Sequence, residues 1–216
     1  MQKKITLIFF IIALLVIHVN ATTSCINLRG IKVWFKKRII KINGYVNLRK
    51  GPIELLATTP NGKDHESIFV LNCNPALFHT SLILIGLTPV KNFFQKSSEL
   101  LAKSKLFIYV QWETDGKKKM VRAEKLIFNQ KHNRIMSNTQ WIFTGSRIYR
   151  KKNGKKIFVA NVYGSLITTY YDPDGIVNNP LPDRFDDTAY NANTKLLPPK
   201  KTPVTIILCA KEILKE

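Results

Sequence analysis

The sequence predicts a β-rich α+β domain, folded as an antiparallel sandwich or a distorted barrel with one buried helix at about residues 75–85. Three observations predict this class. About ten short runs rich in aliphatic and aromatic residues recur along the chain, each long enough for a strand. Turn pairs such as Asp115-Gly116 and Asn153-Gly154 separate neighbouring runs. Helix start and stop signals bracket one apolar segment.

The N-terminal segment predicts export. Lys3 and Lys4 precede an apolar run from Ile5 to Val19, and small residues then lead to a cleavage point after Ala21. Residues 1–21 therefore fit a secretory signal peptide, and the run is shorter than the roughly 20 residues of a membrane span. We expect a periplasmic or envelope-associated protein with no transmembrane span after cleavage. Lipidation of Cys25 is an alternative that the sequence leaves open.

The rest of the chain, residues 22–216, is predicted to form a single domain, since no linker or internal repeat divides it. Its three cysteines are Cys25, Cys73 and Cys209, an odd number that leaves at least one unpaired. Cys73 and Cys209 lie in apolar surroundings, as small buried residues do. Sequence alone does not decide whether these two form a disulfide.

The formal net charge is +20, or +18 without Lys3 and Lys4. The basic residues cluster in turns, namely Lys36–Arg38, Lys117–Lys119, Arg150–Lys152 and Lys155–Lys156. Such loops would concentrate the protein at an anionic envelope surface, although solvated hairpin loops are the simpler interpretation. Nucleic acid is not a predicted partner, because no recognition motif is present and export removes the usual target.

The central stretch predicts two strands and the helix. Ile53–Thr58 and Ser67–Leu71 are aliphatic runs, and the turn residues of Pro60–Lys63 between them predict a hairpin or a tight connection. Asn74 suits an N-cap, Pro75 the first helical position and Gly86 the stop, which predicts a helix from Pro75 to Ile85. The helix is apolar almost all round, so we expect it to be buried against a sheet.

Strands are also predicted on both sides of this stretch, with a turn at Asn43-Gly44. The predicted runs are Ile31–Phe35, Arg38–Ile42, Tyr45–Leu48, Leu106–Trp112, Lys118–Val121, Glu124–Phe128, Trp141–Tyr149, Lys156–Val162, Ser165–Tyr171 and Val204–Cys209. Residues 172–199 break the pattern and predict a long, ordered loop without regular structure. It contains five of the 14 acidic residues, a local excess in a basic protein.

Several of these segments together resemble the YdjY-like family of exported bacterial proteins, which has no established activity. The resemblance covers most of residues 31–208. Its motifs are Glu54–Thr58, Gly62–Ser67, Leu77–Gly86, Val121–Glu124, Trp141–Ser146, Gly164–Tyr170 and Asp172–Leu181. Some relatives carry ferredoxin-like labels. We reject an iron–sulfur cluster for this chain because a cluster needs about four closely spaced cysteines.

The resemblance selects candidate ligand-binding residues, which are His65, Glu66, His79, Asp172, Asn178, Asn179, Asp186 and Asp187. If the long loop folds over the helix, these side chains would form a mixed pocket for a divalent metal or a small polar ligand, with His65 and His79 as metal ligands. The alternative is structural: two histidines held by ordinary hydrogen bonds, and aspartates that form Asx turns or pair with lysines.

The function predicted from the sequence is therefore an exported, non-catalytic binding module for a metal ion or small polar ligand. One alternative is a hydrolase that uses His65 or Glu66 as a base, with or without a metal. Against it, no Gly-x-Ser-x-Gly or His-Glu-x-x-His motif occurs, and adjacent strand residues would point to opposite faces. We assign no catalytic residue. The other alternative is adsorption to an anionic envelope surface through the basic loops.

Overall fold

The computed structural model of the protein describes residues 25–213, so the expected signal peptide at residues 1–21 lies outside the described range. The helices in that range are α1 (Pro75–Leu84), α2 (Ser98–Ala102) and α3 (Ala160–Tyr163). The strands are β1 (Ile26–Leu28), β2 (Ile31–Trp34), β3 (Ile39–Val46), β4 (Leu55–Thr58), β5 (Ser67–Leu71), β6 (Lys105–Thr114), β7 (Lys117–Arg122), β8 (Ile127–Asn129), β9 (Arg134–Ile135), β10 (Trp141–Phe143), β11 (Ile148–Arg150), β12 (Lys156–Phe158), β13 (Ser165–Thr168), β14 (Val177–Asn178), β15 (Tyr190–Ala192) and β16 (Pro203–Cys209).

Eight strands close into a barrel in the order β3-β16-β6-β10-β14-β13-β4-β5, and β5 returns to pair with β3. Six neighbouring pairs are antiparallel, whereas β13–β14 and β4–β5 are parallel. The predicted β-rich class is thus confirmed as a distorted barrel. Closure gives each of the eight barrel strands a partner on both sides. Strands β2 and β1 continue the sheet from β3, and β7 pairs with β6. The interior is filled by large apolar side chains, among them Phe69, Phe78, Trp141 and Phe143, all fully buried.

The turn predicted at Asn43-Gly44 is wrong, because β3 runs straight through both residues. The first half of β3 pairs with β2, and Gly44 to Val46 pair with β5 on the same edge. A Cβ atom on Gly44 would collide with the backbone oxygen of Val70. Gly44 is therefore needed for the close approach of β5, which completes the barrel.

The segment between β4 and β5 does not form a hairpin. The two strands run parallel, with Leu55 opposite Ser67 and Thr58 opposite Val70. Parallel neighbours usually need a crossover of a dozen or more residues, but residues 59–66 make this one with a turn and the 3-10 helix Asp64–Glu66. The alternative prediction, a tight strand-to-strand connection, is the correct one.

Helix α1 has the predicted start and ends one residue early. The side chain of Asn74 accepts a hydrogen bond from the amide of Leu77 at 3.1 Å, and Gly86 has a φ of +82° just beyond the helix. The helix buries one face rather than its whole surface. Phe78 and Leu82 are fully buried, whereas Ile83 and Leu84 are exposed by 47% and 40%.

Residues 172–199 are not free of regular structure. They contain the barrel strand β14, the 3-10 helix Pro182–Phe185 and the strand β15, which pairs with β8. The guanidinium of Arg184 lies over the rings of Phe93, Phe94 and Phe185, at 5.6, 5.6 and 4.6 Å from their centroids. This stack attaches the segment to the 3-10 helix Phe93–Gln95, which lies between α1 and α2.

The strand predicted over Trp141–Tyr149 is two strands. Gly145 and Ser146 have φ values of +80° and +56°, and they turn the chain out of the barrel after β10. The hairpin predicted around Asn153-Gly154 is present as β11 and β12, a separate two-stranded sheet. No helix within residues 25–213 has the length and apolar character of a membrane span.

Candidate functional site

Three carboxylates surround the ammonium of Lys63. Its Nζ lies 3.9 Å from Glu54 Oε2, 3.6 Å from Glu66 Oε1 and 3.8 Å from Asp172 Oδ2. The Lys63 side chain is 36% exposed, so solvent reaches the cluster. One lysine does not balance three carboxylates, and this part of a strongly basic protein is therefore locally acidic.

The backbone holds the three carboxylates in place. Glu54 comes just before β4, and its amide donates to the carbonyl of Glu66 at 3.1 Å. Its carbonyl accepts hydrogen bonds from Thr169 and Tyr170, which follow β13. The carboxylate of Asp172 accepts from the amide of Asp174 at 2.7 Å, which forms an Asx turn. The cluster is thus built on the ends of barrel strands rather than on a free loop.

A cavity of about 360 Å³ opens beside this cluster. It is lined by Pro52, Ile53, Glu54, His65, Glu66, Asp187 and Thr188. The central stretch provides one wall and residues 187–188 of the long segment provide the other. Of the residues predicted from the sequence, His65, Glu66 and Asp187 meet in this cavity, and Asp172 adjoins it through Lys63.

His65 and Glu66 form a close pair. The Nε2 atom of His65 lies 3.7 Å from Glu66 Oε2, and the imidazole is 77% exposed. The expectation that their side chains point to opposite faces is wrong, because these residues belong to the 3-10 helix and not to β5. The imidazole and the carboxylate are therefore both available to a ligand in the cavity.

Burial and the neighbouring negative charges together raise the pKa of Glu54. Partial burial is the main cause, and the neighbouring carboxylates of Glu66, Asp187 and Asp172 add to it, while Lys63 acts in the opposite direction. Lys63 supplies a single positive charge against the three carboxylates of Glu54, Glu66 and Asp172. A further positive charge in the cavity would therefore be bound favourably.

His79 lies in different surroundings. Its ring makes edge contacts with Phe143 and Phe158, with centroids 5.0 and 5.4 Å away. Burial lowers the pKa of His79, and the charge of Lys91 lowers it further, so the neutral imidazole is favoured. None of these neighbours lines the His65 cavity. Within residues 25–213, no group of three or more His, Cys, Asp and Glu side chains is arranged to hold a metal ion.

Asn178 and Asn179 are fully buried and have structural partners. The amide oxygen of Asn178 accepts from Thr168 Oγ1 at 2.7 Å, and its nitrogen donates to Thr144 Oγ1 at 2.7 Å. Asn179 donates to the carbonyl of Thr169 and accepts from the amide of Leu181, both at 2.9 Å. These bonds hold β14 in the barrel, so the two side chains face protein groups rather than the cavity.

Asp186 is a turn residue. Its Oδ1 accepts from the hydroxyl and the amide of Thr188 at 2.6 and 3.1 Å, and these bonds lower the pKa of Asp186. Lys131 lies 3.6 Å from its other oxygen. The structural alternative considered for the aspartates therefore describes Asp186, whereas Asp187 beside it lines the cavity.

The three cysteines are unpaired. Burial raises the pKa of Cys73 and that of Cys209 to about 12, so neither thiol forms a reactive thiolate near neutral pH.

Sequence reasoning missed two members of the site, Glu54 and Lys63. Glu54 directly precedes an apolar strand and Lys63 follows an Asn-Gly turn, so both appeared to be ordinary boundary residues. The parallel crossover between β4 and β5 brings them together. A carboxylate at the start of a fully buried strand was the available signal, because the strand fixes where such a residue lies.

The barrel and the acidic cavity together define a β-barrel domain with a ligand-sized pocket at the strand ends. The YdjY domain matches residues 31–209, which contain all eight barrel strands and every residue lining the cavity. The chain therefore belongs to the YdjY domain family, as the sequence motifs indicated. No curated protein and no solved structure is significantly similar to the chain.

Proposed function

We propose that the protein is an exported, non-catalytic binding module that takes a small polar ligand carrying a positively charged amine in the acidic cavity. One observation carries the proposal: the ammonium of Lys63 lies within 4 Å of Glu54, Glu66 and Asp172. The cluster thus already accommodates a primary ammonium. The amine of a ligand in the cavity would meet Glu54, Glu66 and Asp187 from the other side.

An organic amine fits this site better than the divalent metal that the sequence suggested as one option. Metal sites usually take three or four converging ligands. Here Lys63 lies among the carboxylates, and His79 lies among aromatic rings instead of facing His65. An ammonium also forms three hydrogen bonds to separate carboxylates without a strict coordination geometry.

The His65–Glu66 pair supports a second candidate, hydrolysis with His65 as a general base. The carboxylate of Glu66 lies 3.7 Å from the imidazole and can orient it toward a ligand in the cavity. The high exposure of His65 is unfavourable for this chemistry, because bulk solvent weakens the electrostatic interactions that would stabilise a transition state there. Binding is therefore the better-supported function.

Calorimetric titration with spermidine and ethanolamine tests the proposal on the chain from Thr22 onwards. Calcium and manganese chloride serve as separate probes for metal binding. The informative variants are Glu54→Gln and Glu66→Gln, which each remove one charge but keep the shape. Glu99→Gln, at an exposed position in α2, is the matched control.

We expect saturable binding of at least one amine, weakened about tenfold by either pocket variant, since a hydrogen bond to a charged group contributes about 1.5–3 kcal/mol. The control should bind like the parent protein. Equal effects of all three variants, or no amine binding, would contradict the proposal. A hydrolytic activity lost in both His65→Ala and Glu66→Gln would favour the second candidate. The intact mass of protein recovered from secreting cells, expected to lack residues 1–21, tests export.

A further inference from the structure

The hairpin β11–β12 projects from the barrel. All ten residues from Arg147 to Lys156 are exposed. Two of them are large and apolar, with Ile148 exposed by 66% and Tyr149 by 59%. The neighbouring helix α3 adds Val162 and Tyr163, exposed by 58% and 50%. Large apolar side chains that cluster on an exposed element usually mark an interaction surface.

The same hairpin carries unbalanced positive charge. Residues 147–163 contain six Lys and Arg residues and no Asp or Glu. Only Arg147 is paired, through two hydrogen bonds to Asp174, and no other ion pair in the described range involves the hairpin. Arg150 lies directly opposite Lys156 in the two-stranded ladder. Like charges at opposed positions destabilise a hairpin unless an external anion neutralises them.

An apolar groove of about 430 Å³ lies between the hairpin and α3. It is lined by Ile148, Tyr149, Ile157, Val159, Val162 and Tyr163, with Arg147 and Asp174 at its edge. The surface therefore combines tyrosines, aliphatic side chains and a lysine-rich tip within one small element.

We propose that β11, β12 and α3 form a docking surface for an anionic lipid bilayer. Tyrosine is enriched at the headgroup level of membranes, and lysine side chains there bind lipid phosphates. Lysine is depleted from protein–protein interfaces, which makes a protein partner a poorer match. A soluble polyanion would use the lysines but would leave the apolar groove uncovered. This inference does not depend on a ligand in the acidic cavity.

Vesicle co-sedimentation tests the docking surface. The protein is the chain from Thr22 onwards, because the apolar leader would itself bind lipid, and this chain contains every strand of the barrel. The vesicles contain phosphatidylcholine alone or phosphatidylcholine and phosphatidylglycerol in equal parts. The test variant is K151Q/K152Q/K155Q. The matched control is K117Q/K118Q/K119Q, which removes the same charge from an exposed strand without large exposed apolar residues.

We expect the parent protein to bind the anionic vesicles only. The affinity for these vesicles should fall about 100-fold in the hairpin variant and much less in the control. A second variant, Tyr149→Ser, should weaken the binding that persists in high salt, because that part depends on apolar contact. If the two triple variants lost vesicle affinity equally, the loss would depend only on net charge, and the proposal would be overturned. Absence of vesicle binding, or binding to the soluble polyanion heparin that exceeds vesicle binding, would overturn it as well. Circular dichroism checks that each variant is folded.

Discussion

Glu124 is a fully buried carboxylate whose neighbours neutralise it. Its oxygens lie 3.2 Å from Nε and Nη2 of Arg122, and its Oε1 accepts a hydrogen bond from the indole of Trp141 at 2.9 Å. The guanidinium of Arg122 also lies over the ring of Phe107, 5.2 Å from its centroid. The group belongs to the family motifs noted in the sequence but is not part of the acidic cavity. We therefore assign it a structural role.

The substitution Glu124→Gln should reduce the free energy of unfolding by about 3 kcal/mol, because it removes the buried counter-ion of Arg122 and leaves only the more exposed carboxylate of Glu212 beside the guanidinium. Urea denaturation followed by circular dichroism measures this change. The control is Glu113→Gln, at an exposed position on β6, where we expect a change below about 0.5 kcal/mol. Similar losses for the two variants would contradict the assigned role.

Glu54 predicts a pH dependence of stability. The pKa of Glu54 is raised above its ordinary value of 4.5, first by burial and then by neighbouring carboxylates. The folded state therefore holds the proton more tightly than the unfolded state, and stability falls as the pH rises from about 4.5 through the raised pKa. Above the raised pKa this loss is complete, so the ionised group destabilises the unliganded protein.

Glu54→Gln should accordingly raise the free energy of unfolding at pH 7, by less than about 1 kcal/mol since the side chain is partly solvated, and should have little effect near pH 4. Urea titrations at the two pH values measure this difference. Glu99→Gln is the control and should show the same change at both pH values. A pocket variant that is less stable than the parent at pH 7 would contradict the sign of the predicted effect.

Local signals in the sequence predicted the elements whose structure is set locally. The cap at Asn74 and the stop at Gly86 predicted α1 to within one residue, and Asn153-Gly154 predicted the projecting hairpin. The parallel pairing of β4 with β5 was not predictable in this way. It depends on the other partners of these strands, since β13 pairs with β4 and β3 pairs with β5. For the same reason the Asn43-Gly44 pair predicts a turn, whereas in the structure the small size of Gly44 allows the close approach of β5.

Half of the candidate site residues come together in the structure, and the others do not, for a physical reason. Asp172, Asp187, His65 and Glu66 lie at strand ends or in turns, where side chains reach solvent. Asn178 and Asn179 instead lie in a barrel strand and its end, where each carboxamide must satisfy buried hydrogen bonds. Sequence motifs do not distinguish a ligand-binding side chain from a buried structural one, because both roles require a particular residue.

Arg184 anchors the long segment that carries Asp183, Asp186 and Asp187. Besides stacking on three phenylalanine rings, its guanidinium donates to the carbonyls of Pro180 and Leu181 at 3.0 and 2.9 Å. Arg184→Lys keeps the charge but loses the planar stack, so we expect residues 180–188 to open more often, by about 1 kcal/mol. Amide hydrogen exchange across this segment measures the opening. Arg134→Lys, on an exposed strand, should not alter exchange there.

At the scale of the whole molecule, one turn connects the two proposed sites. Asp172 contacts Lys63 beside the acidic cavity, and two residues later Asp174 binds Arg147 at the base of the projecting hairpin. The carboxylate of Asp172 also accepts a hydrogen bond from the amide of Asp174. Residues 172–174 therefore connect the positively charged docking surface to the negatively charged cavity. The two surfaces lie at opposite ends of this turn.

The barrel closes only when the last strand of the chain is in place. β16 pairs with β3 along seven residues and with β6 along six, and both of these strands lie far earlier in the sequence than β16. Closure therefore depends on contacts of very long range, which form late and make folding slow. We propose that the protein is exported; if the chain crosses the membrane unfolded, its barrel can be completed only after the C-terminal strand has crossed.

A chain that ends at Thr202 should consequently fail to form the barrel. Without β16, the buried strands β3 and β6 lose their shared partner, and the apolar side chains of Ile206 and Leu208 leave the core. We expect no cooperative unfolding transition in thermal denaturation and strong binding of a hydrophobic dye. A chain that ends at Ile213 retains β16 and is the matched control, expected to unfold cooperatively. A cooperative transition in the shorter chain would show that the remaining strands form a stable sheet without closure.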